Sequence, residues 1–224
     1  PWSAGLFTVF DSQPYKGAGT DLRVFPAASY RGKRLQWYGP VLRYVLVRNE
    51  RFTFAPHLIV DFPAYEEDDA AIFAGMGDRE FTLLGGFDAE YKVHPSLETG
   101  VSLERDLLGT HDGLLMSAFG RVPLGHPRAP LSGSVSAGLH YQDSNWTDYA
   151  VGVPEADARD GRPAYAPGDA WVPFAAGRIL VRFAEKWAVL TVLRAEYLGG
   201  TWQDSPLVED DIRLTGIFSL TRSF

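Results

Sequence analysis

The chain of 224 residues contains no cysteine. It therefore has no disulfide framework and no thiolate metal site, and it carries nothing that an oxidising compartment would mis-pair. It also lacks any run of about 18 apolar residues, which excludes a transmembrane helix. An excess of base is missing: 21 Lys and Arg stand against 28 Asp and Glu, a net charge of −7, and nucleic acid needs a basic surface. No phosphate-cradling loop is present, since Gly17, Gly19 and the Gly85–Gly86 pair lack its spacing. The acidic run Glu66, Glu67, Asp68 and Asp69 lacks the spacing of an EF-hand and reads as a solvated loop. No cofactor and no metal are expected. The opening PWSAG has neither a basic n-region nor an apolar h-region, so the sequence is expected to be a mature form with its leader removed.

None of these absences excludes a membrane. Barrel strands are about 10 residues long with only alternate positions apolar, so mean hydropathy stays low; here it is −0.11. Aromatic residues reach 13%, with ten Tyr and six Trp, enough to furnish interfacial girdles. The last stretch, residues 211–224, reads DIRLTGIFSLTRSF. Every second residue from Ile212 through Leu214, Phe218 and Leu220 to Phe224 is mostly apolar, and the other set, from Asp211 through Arg213 and Thr215 to Ser223, is mostly polar. Successive side chains leave a strand on opposite sides, so a period of two is the mark of β-structure. The terminal Phe224 resembles the signal by which barrel strands are recognised during assembly.

The same alternation recurs upstream. Phe52, Phe54, Leu58, Val60 and Phe62 oppose Arg51, Thr53, His57 and Asp61; Phe81, Leu83, Phe87, Tyr91 and Val93 oppose Glu80, Thr82, Asp88, Glu90 and Lys92. Leu131, Val135, Leu139 and Tyr141 oppose Ser132, Ser134, Ser136 and His140. No helical period sorts these residues as well. A water-soluble sandwich would alternate in the same way, and the discriminator is loop length. Tight connections at 48–50, 94–96, 125–129 and 184–186 interleave with longer ones at 64–79, 107–112, 142–171 and 199–210. Short periplasmic turns and long outer loops are the habit of outer-membrane barrels. The reading is all-β: a transmembrane antiparallel up-and-down β-barrel over a single domain, 1–224, in the outer membrane of a bacterium. About ten strands are counted from Leu22 onward, with twelve the next even number; residues 1–20 read as a periplasmic lead-in or as the first strand, and residues 36–47 alternate in two competing registers.

Charges fall on the polar faces: Arg43, His57, Asp61, Asp88, Glu90, Glu98, Glu104, Arg121, His140, Arg178, Arg182, Arg194, Glu196 and Arg213. Acids concentrate between Asp88 and Asp106 and bases between Arg178 and Arg213. In a barrel these line the lumen, either as a polar pore with a transverse field or as paired side chains filling a narrow interior. His140 shares a face with Ser136, and His94 lies two residues from Ser96, but neither pair brings an orienting acid, so no catalytic residue is assigned.

Five stretches in order resemble the MltA-interacting protein family, also called the OmpV family: PYKGAGTDLRVFPAASY, GMGDREFTLLGGFDAEY, WTDYAVGV, EADARDGRPAYAPGDAW and QDSPLVEDDIRLTGIFSLTRSF. The resemblance runs nearly the whole chain. It implies a non-enzymatic outer-membrane protein in contact with lipid, a scaffold for envelope maintenance whose partners are a lytic murein transglycosylase and a peptidoglycan synthase. A narrow channel for small polar solutes is the other reading.

Overall fold

The computed structural model describes residues 2–126 and 129–224. Among them the chain forms β1 (Trp2–Asp11), β2 (Asp21–Arg31), β3 (Leu35–Tyr38) and β4 (Val41–Tyr44), the last continued by Val47–Arg48 after a two-residue break. There follow β5 (Phe52–Asp61), β6 (Thr82–His94), β7 (Leu97–Asp106), β8 (Leu114–Leu124), β9 (Leu131–Gln142), α1 (Ser144–Val151), β10 (Ala170–Phe183), β11 (Trp187–Tyr197) and β12 (Ile212–Ser223). Each strand pairs antiparallel with the next, and β12 returns to β1 in a register running from Ser3 opposite Ser223 to Asp11 opposite Thr215. The sheet thus closes on itself as a twelve-stranded up-and-down barrel.

The count of about ten strands falls two short for identifiable reasons. Residues 2–11 form a full strand that closes the barrel, because Trp2, Ala4 and Leu6 alternate with Ser3, Gly5 and Phe7 in register with both neighbours. Residues 36–47, whose two registers compete, fall on a hairpin of four-residue strands, Leu35–Tyr38 and Val41–Tyr44, turned at Gly39–Pro40. Tight turns at 32–34, 49–51, 95–96 and 184–186 lie at one end with both termini; the loops at 12–20, 62–81, 107–113, 143–169 and 198–211 lie at the other.

The barrel wall is apolar outside. Leu22, Val24, Phe81, Val101, Leu131, Ile179, Leu193 and Phe218 are all exposed. Such a surface is a liability in water and an asset in hydrocarbon. Aromatics ring both ends: Trp2, Tyr91, Phe183 and Phe224 at the tight-turn end, and Phe62, Phe81, Trp171 and Tyr197 at the loop end are exposed on the outer register. The apolar core of the molecule lies elsewhere, in the loops. Tyr15, Tyr65, Phe73, Val151, Leu198, Trp202 and Leu207 pack with the start of β10 into one buried cluster over the loop-end mouth.

Candidate functional site

Polar side chains from strands two apart meet each other, which happens only on the concave side of a curled sheet. Arg43 on β4 reaches past β5 to Asp88 on β6, bonding through Nε at 2.7 Å and again through the terminal nitrogen. His57 on β5 continues the chain, with Nδ1 3.3 Å from Asp88 and Nε2 3.1 Å from Glu104 on β7, the latter approach not aligned as a hydrogen bond. His57 and Glu104 are buried. Buried charges without partners cost several kcal/mol, at the order of magnitude, so this Arg–Asp–His–Glu ladder is what the interior demands.

Two further groups share the face. Arg121 on β8 lies 3.4 Å from Glu90 and 3.5 Å from Glu98. His140 on β9 lies 3.5 Å from Glu196 on β11, with Arg194 3.8 Å from the same carboxylate. The other ring nitrogen of His140 meets the hydroxyl of Ser117 at 2.7 Å, not that of Ser136, and Phe174 stacks over the imidazole at 4.3 Å. Gly138 makes that stack fit, since a side chain there would strike the Phe174 ring and the Ala118 carbonyl. Arg213 on β12 is clamped by Asp11 on β1. Asp11 is absent from the set chosen by sequence because its strand reads equally as a lead-in. Arg182 donates to the Ala129 carbonyl at 3.0 Å. Arg178 and Asp61 enter none of the ion pairs among the described residues.

Exposure differs among the groups. The Arg121, Glu90 and Glu98 side chains keep 31%, 34% and 26% of their surface, and Arg194 and Arg213, nearer the loop end, keep 44% and 31%, whereas His57 and Glu104 keep 6% and 8%. The driest stretch of the lumen is therefore the ladder around His57 and Glu104. Above that, the loop cluster closes the mouth.

The cap is built from local rules. Asp143 caps α1, accepting from the Trp146 amide at 2.9 Å, and the same oxygen accepts from the Leu114 amide at 3.0 Å, so one carboxylate starts the helix and ties it to β8. Tyr65 stacks on Phe73 at 3.9 Å, and Tyr15 meets both edge-on. Burial pushes the Tyr65 hydroxyl up to about 12 and the Tyr15 hydroxyl well above its ordinary value. Arg162, only 2% exposed, donates to the carbonyls of Ile72, Ala74 and Asp157, and Arg159 donates to that of Ala71. Two guanidinium groups from the longest loop thus staple the 62–81 loop, a device that sequence patterning does not reveal because the acceptors are backbone. Glu66, Asp68 and Asp69 approach one another at the surface, and Asp69 accepts from the Glu66 amide at 2.7 Å, so these acids brace a turn.

The profile of a family described as "MltA-interacting protein MipA" matches residues 4–224. The chain is 24% identical over 228 aligned residues to "Putative outer membrane protein YiaT" of Escherichia coli (strain K12), covering 99% of this chain and 90% of that one. The same figures hold for the protein of that name in Escherichia coli O157:H7. Among solved structures, the NanC porin superposes with a TM-score of 0.52 at 7% identity, with full coverage of both chains, a likeness of fold alone.

Proposed function

Because the chain belongs to the MltA-interacting protein family and folds as an outer-membrane β-barrel, we propose that it is a narrow channel for small polar solutes, held shut at its outer mouth by the loop cap. The observation that carries this reading is the water-exposed set of lumenal charges at Arg121, Glu90 and Glu98 beneath a dry lid. About eight strands leave room only for packed side chains and about sixteen enclose a wide aqueous channel, so twelve suit a constricted passage. The fourteen polar-face charges would serve as its lining, with the Arg43–Asp88–His57–Glu104 ladder as the constriction. Ion pairs there exclude most ions at rest, and opening requires the cap to lift.

Planar-bilayer recording tests this. The wild-type protein gives rare unitary steps, and a variant with residues 155–163 replaced by two glycines, which removes Arg159 and Arg162, opens often. A second reading, a non-enzymatic scaffold that contacts a lytic murein transglycosylase and a peptidoglycan synthase, draws support from the family's description. Silence of both proteins in the bilayer, together with capture of a murein enzyme by the tight-turn end, would favour the scaffold.

A further inference from the structure

Most lumenal charge is paired, but one group of bases is not. Among the described residues, Arg31, Arg178 and Arg182 enter none of the ion pairs. All three stand on the inward register. Arg178 and Arg182 lie four residues apart on β10, with Arg178 opposite Ser134 of β9. Arg31 ends β2 opposite Gln36, whose side chain accepts from Arg43 inside the barrel. Arg178 and Arg182 are half-buried and Arg31 is exposed. Arg182 donates to the Ala129 carbonyl, a neutral acceptor, and Arg178 makes no hydrogen bond to the described residues.

The register explains why Arg121 finds acids and Arg178 does not. The two residues flank β9, Arg121 opposite Ser136 and Arg178 opposite Ser134, so their backbones stand two strand spacings apart, about 10 Å. Arg121 turns away toward β7 and β6 and meets Glu98 and Glu90. On the far side of β10, β11 sets Val192 opposite Arg178 and Ala188 opposite Arg182, and neither side chain accepts a hydrogen bond. Glu196 of β11 is held by His140 and Arg194, while Asp61 and Asp106 stand at the loop ends of β5 and β7. The charges near enough to act on the Arg178 guanidinium are those of Arg31, Arg121 and Arg182, all of its own sign.

Bases gathered without a counter-charge in a partly dry interior are costly, and a bound anion relieves that cost. The chain as a whole carries a net charge of −7, so this patch is not one part of a generally basic surface. Ser134 and Ser136 put two hydroxyls between the Arg121 and Arg178 positions. We propose that Arg31, Arg178 and Arg182, with the hydroxyls of Ser134 and Ser136, form an anion site in the tight-turn half of the lumen that takes a small solute bearing two or more oxyanion groups, carboxylate or phosphate. The planar guanidinium fork matches such groups through paired N–H donors. A monoanion would leave the patch positive, which is why two or more groups are required. The site rests on the channel reading only for aqueous access to the lumen. Conduction is a separate property: a barrel silent in the bilayer can hold the anion, and a conducting one can lack the site.

Calorimetric titration of the folded protein in non-ionic detergent at low salt and pH 7 tests the site, with citrate, pyrophosphate and spermidine as probes. At least one of the two anions binds with one molecule per barrel, and spermidine does not compete. Citrate alone assigns carboxylate, pyrophosphate alone assigns phosphate, and both together assign charge and number of groups. Arg178→Gln weakens binding at least tenfold, whereas Arg105→Gln, an exposed position on the outward register, leaves the titration unchanged. The bound anion raises the urea midpoint of the wild type and not that of Arg178→Gln. If Arg178→Gln does not fold, Ser134→Asp takes its place: it sets a carboxylate opposite Arg178, keeps the guanidinium, and should abolish anion binding. Absence of binding by both anions overturns the site, as does binding that Arg178→Gln or Ser134→Asp leaves intact. Bilayer silence with binding retained would count against the channel and not against the site.

Discussion

The cap and the lumen of this barrel invert the usual arrangement of a protein. In the cap, loops bury Phe73, Tyr65, Val151 and Leu207 as a small globular core. In the lumen, regular strands hold the Arg43–Asp88 and Arg213–Asp11 pairs and the two histidines. Burial of aliphatic surface stabilises the first; satisfaction of charge decides the second. The two regions should therefore respond to different insults.

The largest effect is expected in the lumen. Asp88→Ala leaves Arg43 and His57 without their shared acceptor and should cost the barrel about 3–5 kcal/mol. Urea unfolding in lipid vesicles measures it, and the double variant Asp88→Leu with Arg43→Met should recover most of the loss. Recovery would separate the cost of an orphaned charge from the net value of the pair. In the cap, Phe73→Ala should cost about 3 kcal/mol, confined to the loops, because a fully buried ring stacked on Tyr65 is lost. Trypsin would then cut after Arg159, the Arg162–Pro163 bond being resistant, while the barrel's urea midpoint stays in place; a shift of that midpoint would show that cap and barrel unfold as one unit.

Smaller effects lie in the turns. Ala184 and Glu185 hold φ values of 45° and 60°, a region that costs residues with a Cβ, so Glu185→Gly should stabilise the β10–β11 hairpin by about 1 kcal/mol. At the cap's edge, the Gly113 amide donates to His111 Nδ1 at 2.9 Å, and burial lowers the affinity of this imidazole for a proton. The folded loop thus favours neutral His111. Its contribution is complete above the unfolded value of about 6.5 and fades as pH falls through the lower folded value. Protection of the Gly113 amide, its exchange rate taken relative to the intrinsic rate at each pH, should fall on acidification, and His111→Gln should remove that dependence.

Much of the fold is legible in the sequence because a strand's period is two and one of its faces meets lipid. Phe81 to Val93 and Leu131 to Tyr141 carry that period unmistakably. The hairpin at 35–44 escapes it, since strands of four residues give too few alternations to fix a register. β1 escapes because Gly5 and Phe10 blur both faces and a tract of turn residues follows. Charges in the interior announce themselves by their face, but their partners do not: Arg213 meets Asp11 from the far end of the chain, and closure of the barrel alone brings them together. The cap is the least legible part, since its core comes from scattered aromatics in loops and its staples end on carbonyls.

The central claim is that the charged face meets water inside the cylinder, open at the tight-turn end and shut at the loop end. Single cysteines at Ser134, Val135, Ser136 and Ala137, in protein inserted in one orientation, test it with a membrane-impermeant maleimide applied to each side in turn. The account predicts labelling at 134 and 136 from the tight-turn side, little from the loop side, and none at 135 or 137 from either. Labelling at 135 and 137 instead, or equal labelling of 134 and 136 from both sides, would contradict it.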